Sequence, residues 1–192
     1  MFTGIVQGMA EVVSFENGTL CILLPESEGL EQGASVAIDG VCLTVVSFTE
    51  EQIWFDVVEE TMQVTTLSSL QAGDLVNFER AAKFGDEIGG HDVSGHVSCT
   101  ATISSWQDGV MRFDLDSNWM KYIIAKGYIA IDGCSLTVVN PDKHGFSVAL
   151  IPETLSRTRF SHKGPGDEVN IEFDSRTQAV VDSVERMMQA GE

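Results

Sequence analysis

Hydrophobic positions along this chain fall in short β-rich runs, and helical spacing is weak through most of its length. In the first half the runs cover residues 20–24, 35–38, 42–47, 53–58 and 75–79, each bounded by turn-forming residues. Asp39-Gly40 and Asp132-Gly133 each stand between two such runs. A D-G pair supplies the positive φ that a two-residue hairpin needs, so both predict tight hairpin turns. About six strands in roughly 90 residues suits a small closed antiparallel barrel, which leaves no open sheet edge. The tail departs from this pattern. Residues 177–189 contain no proline or glycine, and Val180, Val184 and Met187 recur at i, i+4 and i+7, reinforced by Val181 and Met188. That stripe predicts a helix with one apolar face, which either packs back on its own barrel or meets copies of itself.

The pattern also repeats. The eleven residues 36–46, VAIDGVCLTVV, return as residues 129–139, IAIDGCSLTVV, with eight identities at an offset of 93. The same offset relates Glu60-Thr61 to Glu153-Thr154 and residues 73–79 to residues 166–172. At the front, residues 3–6 (TGIV) match residues 94–97 (SGHV) at an offset of 91. Two homologous halves follow, and an internal repeat of this length fixes the architecture before any single element does. The expected organisation is all-β, two six-stranded antiparallel barrels in tandem plus a C-terminal α-helix. The expected boundaries are 1–87 for the first barrel, 88–175 for the second and 176–192 for the helix. Residues 83–91, rich in glycine, are the expected hinge.

Composition narrows the function. The chain has 192 residues, 43% hydrophobic and 21% charged, with a net charge of −18. A surface this acidic repels phosphate backbones and anionic lipid, which argues against nucleic acid and membrane partners. No apolar run approaches the length of a membrane span, and the start lacks the basic region of a signal peptide, so a soluble, unexported protein is expected. Cys21, Cys42, Cys99 and Cys134 form no C-x-x-C pair, which predicts four free thiols and neither a disulfide framework nor a zinc site.

Duplicated barrels suggest two related pockets. Each half carries small hydrogen-bonding residues among apolar ones, a lining suited to a planar heterocycle with polar edges. The halves differ where chemistry would lie: Ile5 aligns with His96, Cys42 with Ser135, and Gly33 with Lys126. His96 is a candidate general base, since its unperturbed pKa lies near neutral, although a lone histidine is more often structural. Ser135 lacks a G-x-S-x-G elbow, and His91 and His96 lie five apart on extended chain, pointing to opposite faces, which disfavours chelation. No phosphate-binding glycine fingerprint is present.

The blocks GVCLTV at 40–45 and GCSLTV at 133–138, the start MFTGIV, ERAAKF at 79–84, GGHDVSGH at 89–96, IPETL at 151–155 and the tail TQAVVD at 177–182 together resemble the riboflavin synthase family of lumazine-binding repeats. The resemblance implies Greek-key barrels and a dismutation of two 6,7-dimethyl-8-ribityllumazine molecules into riboflavin and 5-amino-6-(ribitylamino)uracil. It implies no cofactor and no metal, a cytoplasmic homotrimer, and lumazine synthase as a candidate partner. The working site would lie between the N-terminal barrel of one subunit and the C-terminal barrel of its neighbour, with the C-terminal helices making the trimer contact. By motif, Gly4, Ile5, Val6, Cys42, Leu43, Thr44, Asp56, Val57, Val58, Glu59, Glu60 and Thr61 would line the N-terminal pocket together with Gly95, His96 and Val97. Ser135, Leu136, Thr137, Leu150, Ile151, Pro152, Glu153, Thr154 and Leu155 would line the C-terminal one, with Lys126 reaching across from another subunit. His96, Ser135, Cys42, Thr137 and Phe2 are the implied catalytic set. Val41 departs from relatives that carry a second cysteine there. The rival reading is a non-catalytic lumazine- or flavin-binding protein of the bioluminescence antenna type.

Overall fold

The computed structural model describes residues 1–24 and 28–190; the last two residues assigned above to the C-terminal helix lie outside that range. The first half forms β1 (Gly8–Glu16), β2 (Thr19–Leu23), β3 (Ser35–Ile38), β4 (Val41–Phe48), β5 (Gln52–Asp56), the short helix α1 (Glu59–Val64) and β6 (Leu75–Arg80). The second half repeats the series as β7 (Cys99–Gln107), β8 (Val110–Asp114), β9 (Tyr128–Ile131), β10 (Cys134–Asp142), β11 (Gly145–Ala149), α2 (Pro152–Arg157) and β12 (Glu168–Phe173). The chain ends in α3 (Ser175–Ala190).

Each set of six strands closes into an antiparallel barrel, in the order β1-β2-β5-β4-β3-β6 and its counterpart β7-β8-β11-β10-β9-β12. The neighbouring order β2-β5-β4-β3 is a Greek key. Alternation along the strands fills the barrels: Val12, Leu20, Ile22, Ile38, Ile53 and Phe55 pack the first, and Ile103, Met111, Phe113, Ile129, Phe146 and Val148 the second. The rings of Phe113 and Phe146 stack at 5.4 Å.

Asp39-Gly40 and Asp132-Gly133 make the expected hairpin turns, with φ of 44° and 79°, and 45° and 85°. They do more than reverse the chain. A Cβ on Gly40 would lie 2.5 Å from the backbone nitrogen of Gly133, so the two turns meet back to back. Around this contact the barrels exchange hydrogen bonds reciprocally: Asn77 Nδ2 donates to the Asp132 carbonyl and Asn170 Nδ2 to the Asp39 carbonyl, each at 2.9 Å. Arg159 pairs with the fully buried Asp39, and Lys163 Nζ lies 3.2 Å from Asp132.

The elements differ from the sequence reading in three places. The run expected at 53–58 ends as a strand at Asp56, because the Val57 N–H turns away to donate to the Gly18 carbonyl and Val58 is the N-cap of α1. Strand β1 and the two short helices had no strong periodicity to announce them. The expected hinge at 83–91 is exposed from Lys83 through Gly90, but the Gly89 N–H donates to the Thr3 carbonyl at 2.8 Å and His91 is buried.

Candidate functional site

The path of the two N-terminal segments sets the site. Phe2 and Val93 pair antiparallel beside each other at the junction of the barrels, where Phe2 is fully buried against Ala37, Val93 and Ala130. From there the segments cross. The Ser135 N–H donates to the Gly4 carbonyl at 2.9 Å, and Val6 enters the core of the second barrel. Reciprocally, the Cys42 N–H donates to the Gly95 carbonyl at 2.9 Å, and Val97 packs on the core of the first. Each segment stays anchored to its own half by a buried carboxylate. Glu79 Oε1 accepts from the Thr3 N–H and hydroxyl, and Glu172 accepts from the Ser94 and Gly95 N–H groups.

Two cavities result, and they match position by position. One, of about 280 Å³, is lined by Val41, Cys42, Glu60, Thr61, Val64, Thr65, Gly95, His96 and Val97. The other, of about 400 Å³, is lined by Cys134, Ser135, Glu153, Thr154, Arg157, Thr158, Gly4, Ile5 and Val6, together with Glu87 and Gly89. This corrects the expected placement of Gly4, Ile5 and Val6: because the segments cross, they wall the cavity of the second barrel beside Ser135 and not that of the first. Gly95, His96 and Val97 lie beside Cys42.

Of the other expected residues, Glu60, Thr61, Glu153 and Thr154 face the cavities from the first turns of α1 and α2. Leu43 and Leu136 point into the barrel cores, since alternation along a strand turns every second residue inward, and Val57 and Leu150, one residue past the ends of β5 and β11, are buried in the same cores. Thr44 and Thr137 are exposed on the outer faces of β4 and β10. Asp56 accepts from the Thr19 hydroxyl, Val58, Glu59, Ile151 and Pro152 are exposed, and Leu155 packs beside the second core. Lys126 lies outside both linings, on an exposed loop at φ 66°, where the first half has Gly33 at φ 87°.

Cavity residues absent from the expectation are Val41, Val64, Thr65, Glu87, Gly89, Cys134, Arg157 and Thr158. Thr65 and Thr158 were findable, being identical residues at the repeat offset, each directly after its short helix. Arg157 Nε donates to Glu153 Oε1 at 2.5 Å, whereas the equivalent position near Glu60 is Val64. Burial pushes the Cys134 thiol up to about 12, with Glu79 and Asp132 adding to the rise, so this cavity residue stays a neutral thiol.

Helix α3 packs on its own barrel through one side, next to the stripe. Val181 packs beside the second core, Tyr122 Oη donates to Asp182 and Lys121 pairs with Glu185, each at 2.5 Å. Val180, Val184 and Met187 remain 65%, 51% and 75% exposed. No helix among the described residues is long and apolar enough to cross a membrane.

The lumazine-binding domain model matches the chain twice, at residues 3–81 and 94–174. Riboflavin synthase of Escherichia coli (strain K12) is 50% identical over 203 residues, covering 100% of this chain and 95% of that protein. Those of Chlamydia pneumoniae and Bacillus subtilis (strain 168) are 46% and 39% identical, covering 98% and 91% of this chain and 97% and 85% of theirs. Among solved structures, LumP complexed with riboflavin superposes with a TM-score of 0.81 at 24% identity, covering 91% of this chain and 100% of that one. LumP complexed with 6,7-dimethyl-8-(1'-D-ribityl) lumazine gives 0.78 at 23% identity, with the same coverage. These two establish likeness of fold. With its duplicated barrels, matched cavities and relatives of this identity along its whole length, the chain belongs to the riboflavin synthase family, built on a repeated lumazine-binding domain.

Proposed function

We propose that this chain forms riboflavin by dismutation of two 6,7-dimethyl-8-ribityllumazine molecules, one passing a four-carbon unit to the other and leaving as 5-amino-6-(ribitylamino)uracil. What the acceptor gains the donor loses, so the exchange calls for no outside oxidant or reductant. The observation that carries this reading is the pair of cavities, matched in framework and unlike in chemistry. Two identical molecules need two related sites, and a reaction that treats them differently needs those sites to differ. One cavity offers the Cys42 thiol and the His96 imidazole; the other offers the Ser135 hydroxyl, Ile5 and the Arg157 guanidinium.

In this reading His96 takes a proton from the acidic 7-methyl group of one lumazine, while Ser135 or Cys42 assists addition at the other. Phe2 acts by packing, holding the two crossing segments together. Bringing two bound molecules into contact supplies a large part of the acceleration, as much as about 7–11 kcal/mol for well-oriented reactants. The working site is formed between the first cavity of one subunit and the second of its neighbour, in a cytoplasmic homotrimer joined through the exposed stripe of α3. Lys126 reaches across that interface, its left-handed backbone being strain of the kind found at functional positions. Lumazine synthase, as the source of the substrate, is the proposed protein partner.

The test is spectroscopic. On incubation with the lumazine its absorption should give way to that of riboflavin, and stoichiometric binding without conversion would overturn the enzyme in favour of an antenna-like binder. His96→Gln should lower kcat at least tenfold while changing KM little.

A further inference from the structure

We propose that His91 is a positioning residue that holds Ser135 as a hydrogen-bond donor toward the ligand in the larger cavity, an inference that rests on the function proposed above. His91 is not part of the cavity wall. It stands behind it, 6% exposed, with Nδ1 at 2.6 Å from Ser135 Oγ and its ring stacked on Tyr128 at 5.4 Å between centroids and 14° between planes. The approach is built into the backbone: a Cβ on the preceding residue, Gly90, would lie 2.8 Å from the same Ser135 Oγ.

The other ring nitrogen decides the polarity of the contact. His91 Nε2 is buried and has no hydrogen-bond partner among the described residues. Burial lowers the imidazole's pKa against the opposing pull of Asp174, Glu172 and Asp92, with Arg176 adding to the decrease, which favours at pH 7 the neutral ring with one proton. A buried N–H with no acceptor is the rarer and costlier kind of orphan, whereas a bare ring nitrogen only forgoes an acceptor's bond. The proton therefore sits on Nδ1, and Nδ1–H donates to Ser135 Oγ. With its oxygen occupied as acceptor by His91 and its N–H by the Gly4 carbonyl, Ser135 keeps its hydroxyl proton free for a ligand in the cavity it lines. A fixed donor there suits an oxygen or nitrogen of the heterocycle that gains negative charge as the new bond forms, a charge that water would otherwise have to reorganise around.

The experiment is a double-mutant cycle with a rescue, run beside the wild-type enzyme. His91→Leu and Ser135→Ala should each lower kcat at least tenfold with KM changed less than threefold, and the double variant should be no slower than Ser135→Ala alone. His91→Asn, whose amide N–H can stand near the position of Nδ1–H, should recover most of the loss. A double variant showing the product of the two single losses would overturn the proposal, as would His91→Asn no faster than His91→Leu. The tautomer is read independently of any variant by NMR of wild-type protein labelled with ¹⁵N-histidine: Nδ1–H is expected, and Nε2–H would overturn the assigned polarity. Conversion of lumazine by the wild type separates a failure of this proposal from a failure of the function on which it rests.

Discussion

Gly95 is where the second half rests on the first barrel, and replacing it with alanine tests the crossing of the segments directly. A Cβ there would stand 2.5 Å from Cys42 Cβ, 2.9 Å from Phe2 Cε2 and 3.0 Å from the Cys42 nitrogen, at φ +85°. The φ term alone costs about 1–2 kcal/mol. To relieve the clash the segment must lift off β4. That weakens the 2.8 Å bond from the Gly95 N–H to Glu172, of a charge-assisted kind contributing about 1.5–3 kcal/mol. It also weakens the 2.9 Å bond from the Cys42 N–H to the Gly95 carbonyl, of a kind contributing about 1 kcal/mol. Gly73→Ala is the control, since it carries φ +92° but meets nothing within 4 Å. The two variants share the φ cost, so Gly95→Ala should be the less stable by about 3 kcal/mol, or about 6–12 °C in Tm for a chain of this size. Urea denaturation and calorimetry measure the difference, and lumazine titration should show weakened binding only for Gly95→Ala. Equal destabilisation of the two variants, with binding intact in both, would refute the close approach on which the smaller cavity depends.

Truncation after Asp174 should remove self-association and most turnover together; a shortened chain that sediments as an active trimer would refute the role of the exposed Val180, Val184 and Met187. A fragment of residues 1–97 should bind riboflavin more tightly than one of residues 1–87, because Gly95, His96 and Val97 complete the smaller cavity; equal affinities in fluorescence quenching would refute this. Burial first, and Asp132 next, push the Asp39 carboxyl up from 3.8 to about 6, so the folded chain holds that proton more tightly than the unfolded one. This group's contribution is thus full below about pH 4 and is lost as pH rises through about 6, by about 3 kcal/mol. Asp39→Asn should flatten the decline of unfolding free energy between those values, and an unchanged slope in urea titrations would count against the raised pKa.

Barrel closure and hairpin positions were legible because they depend on local rules: strand alternation has period two, and Asp-Gly pairs take the positive φ of a two-residue turn. The repeat made the fold doubly legible, since whatever the first barrel did the second had to match. The crossing was hidden because offsets of 91 and 93 align residues 3–6 with 94–97 without saying on which barrel each segment lies. Leu43 and Leu136 show a related limit: a motif marks a neighbourhood, and alternation sends half of its side chains into the core. The contact of His91 with Ser135 was hidden for a different reason. The two are 44 residues apart, and the contact exists only once β10 and the segment after Gly90 have been brought together.

The reciprocal crossing also dictates an order of assembly. Gly4 finds its partner at Ser135, and Val6 belongs to a core that includes Phe173, so a segment that precedes the first barrel in sequence completes the second. The first barrel in turn lacks a packing residue until Val97 has emerged. Contacts separated by so much sequence are slow to form, since the loop entropy is lost before they return anything. Until the second half is made, residues 2–6 have only their contacts in the first half, Thr3 with Glu79 and Phe2 with Ala37, and the burial of Phe2 is completed by Val93 and Ala130. Refolding should accordingly show a late phase, common to both barrels, in which the two segments lock into place together.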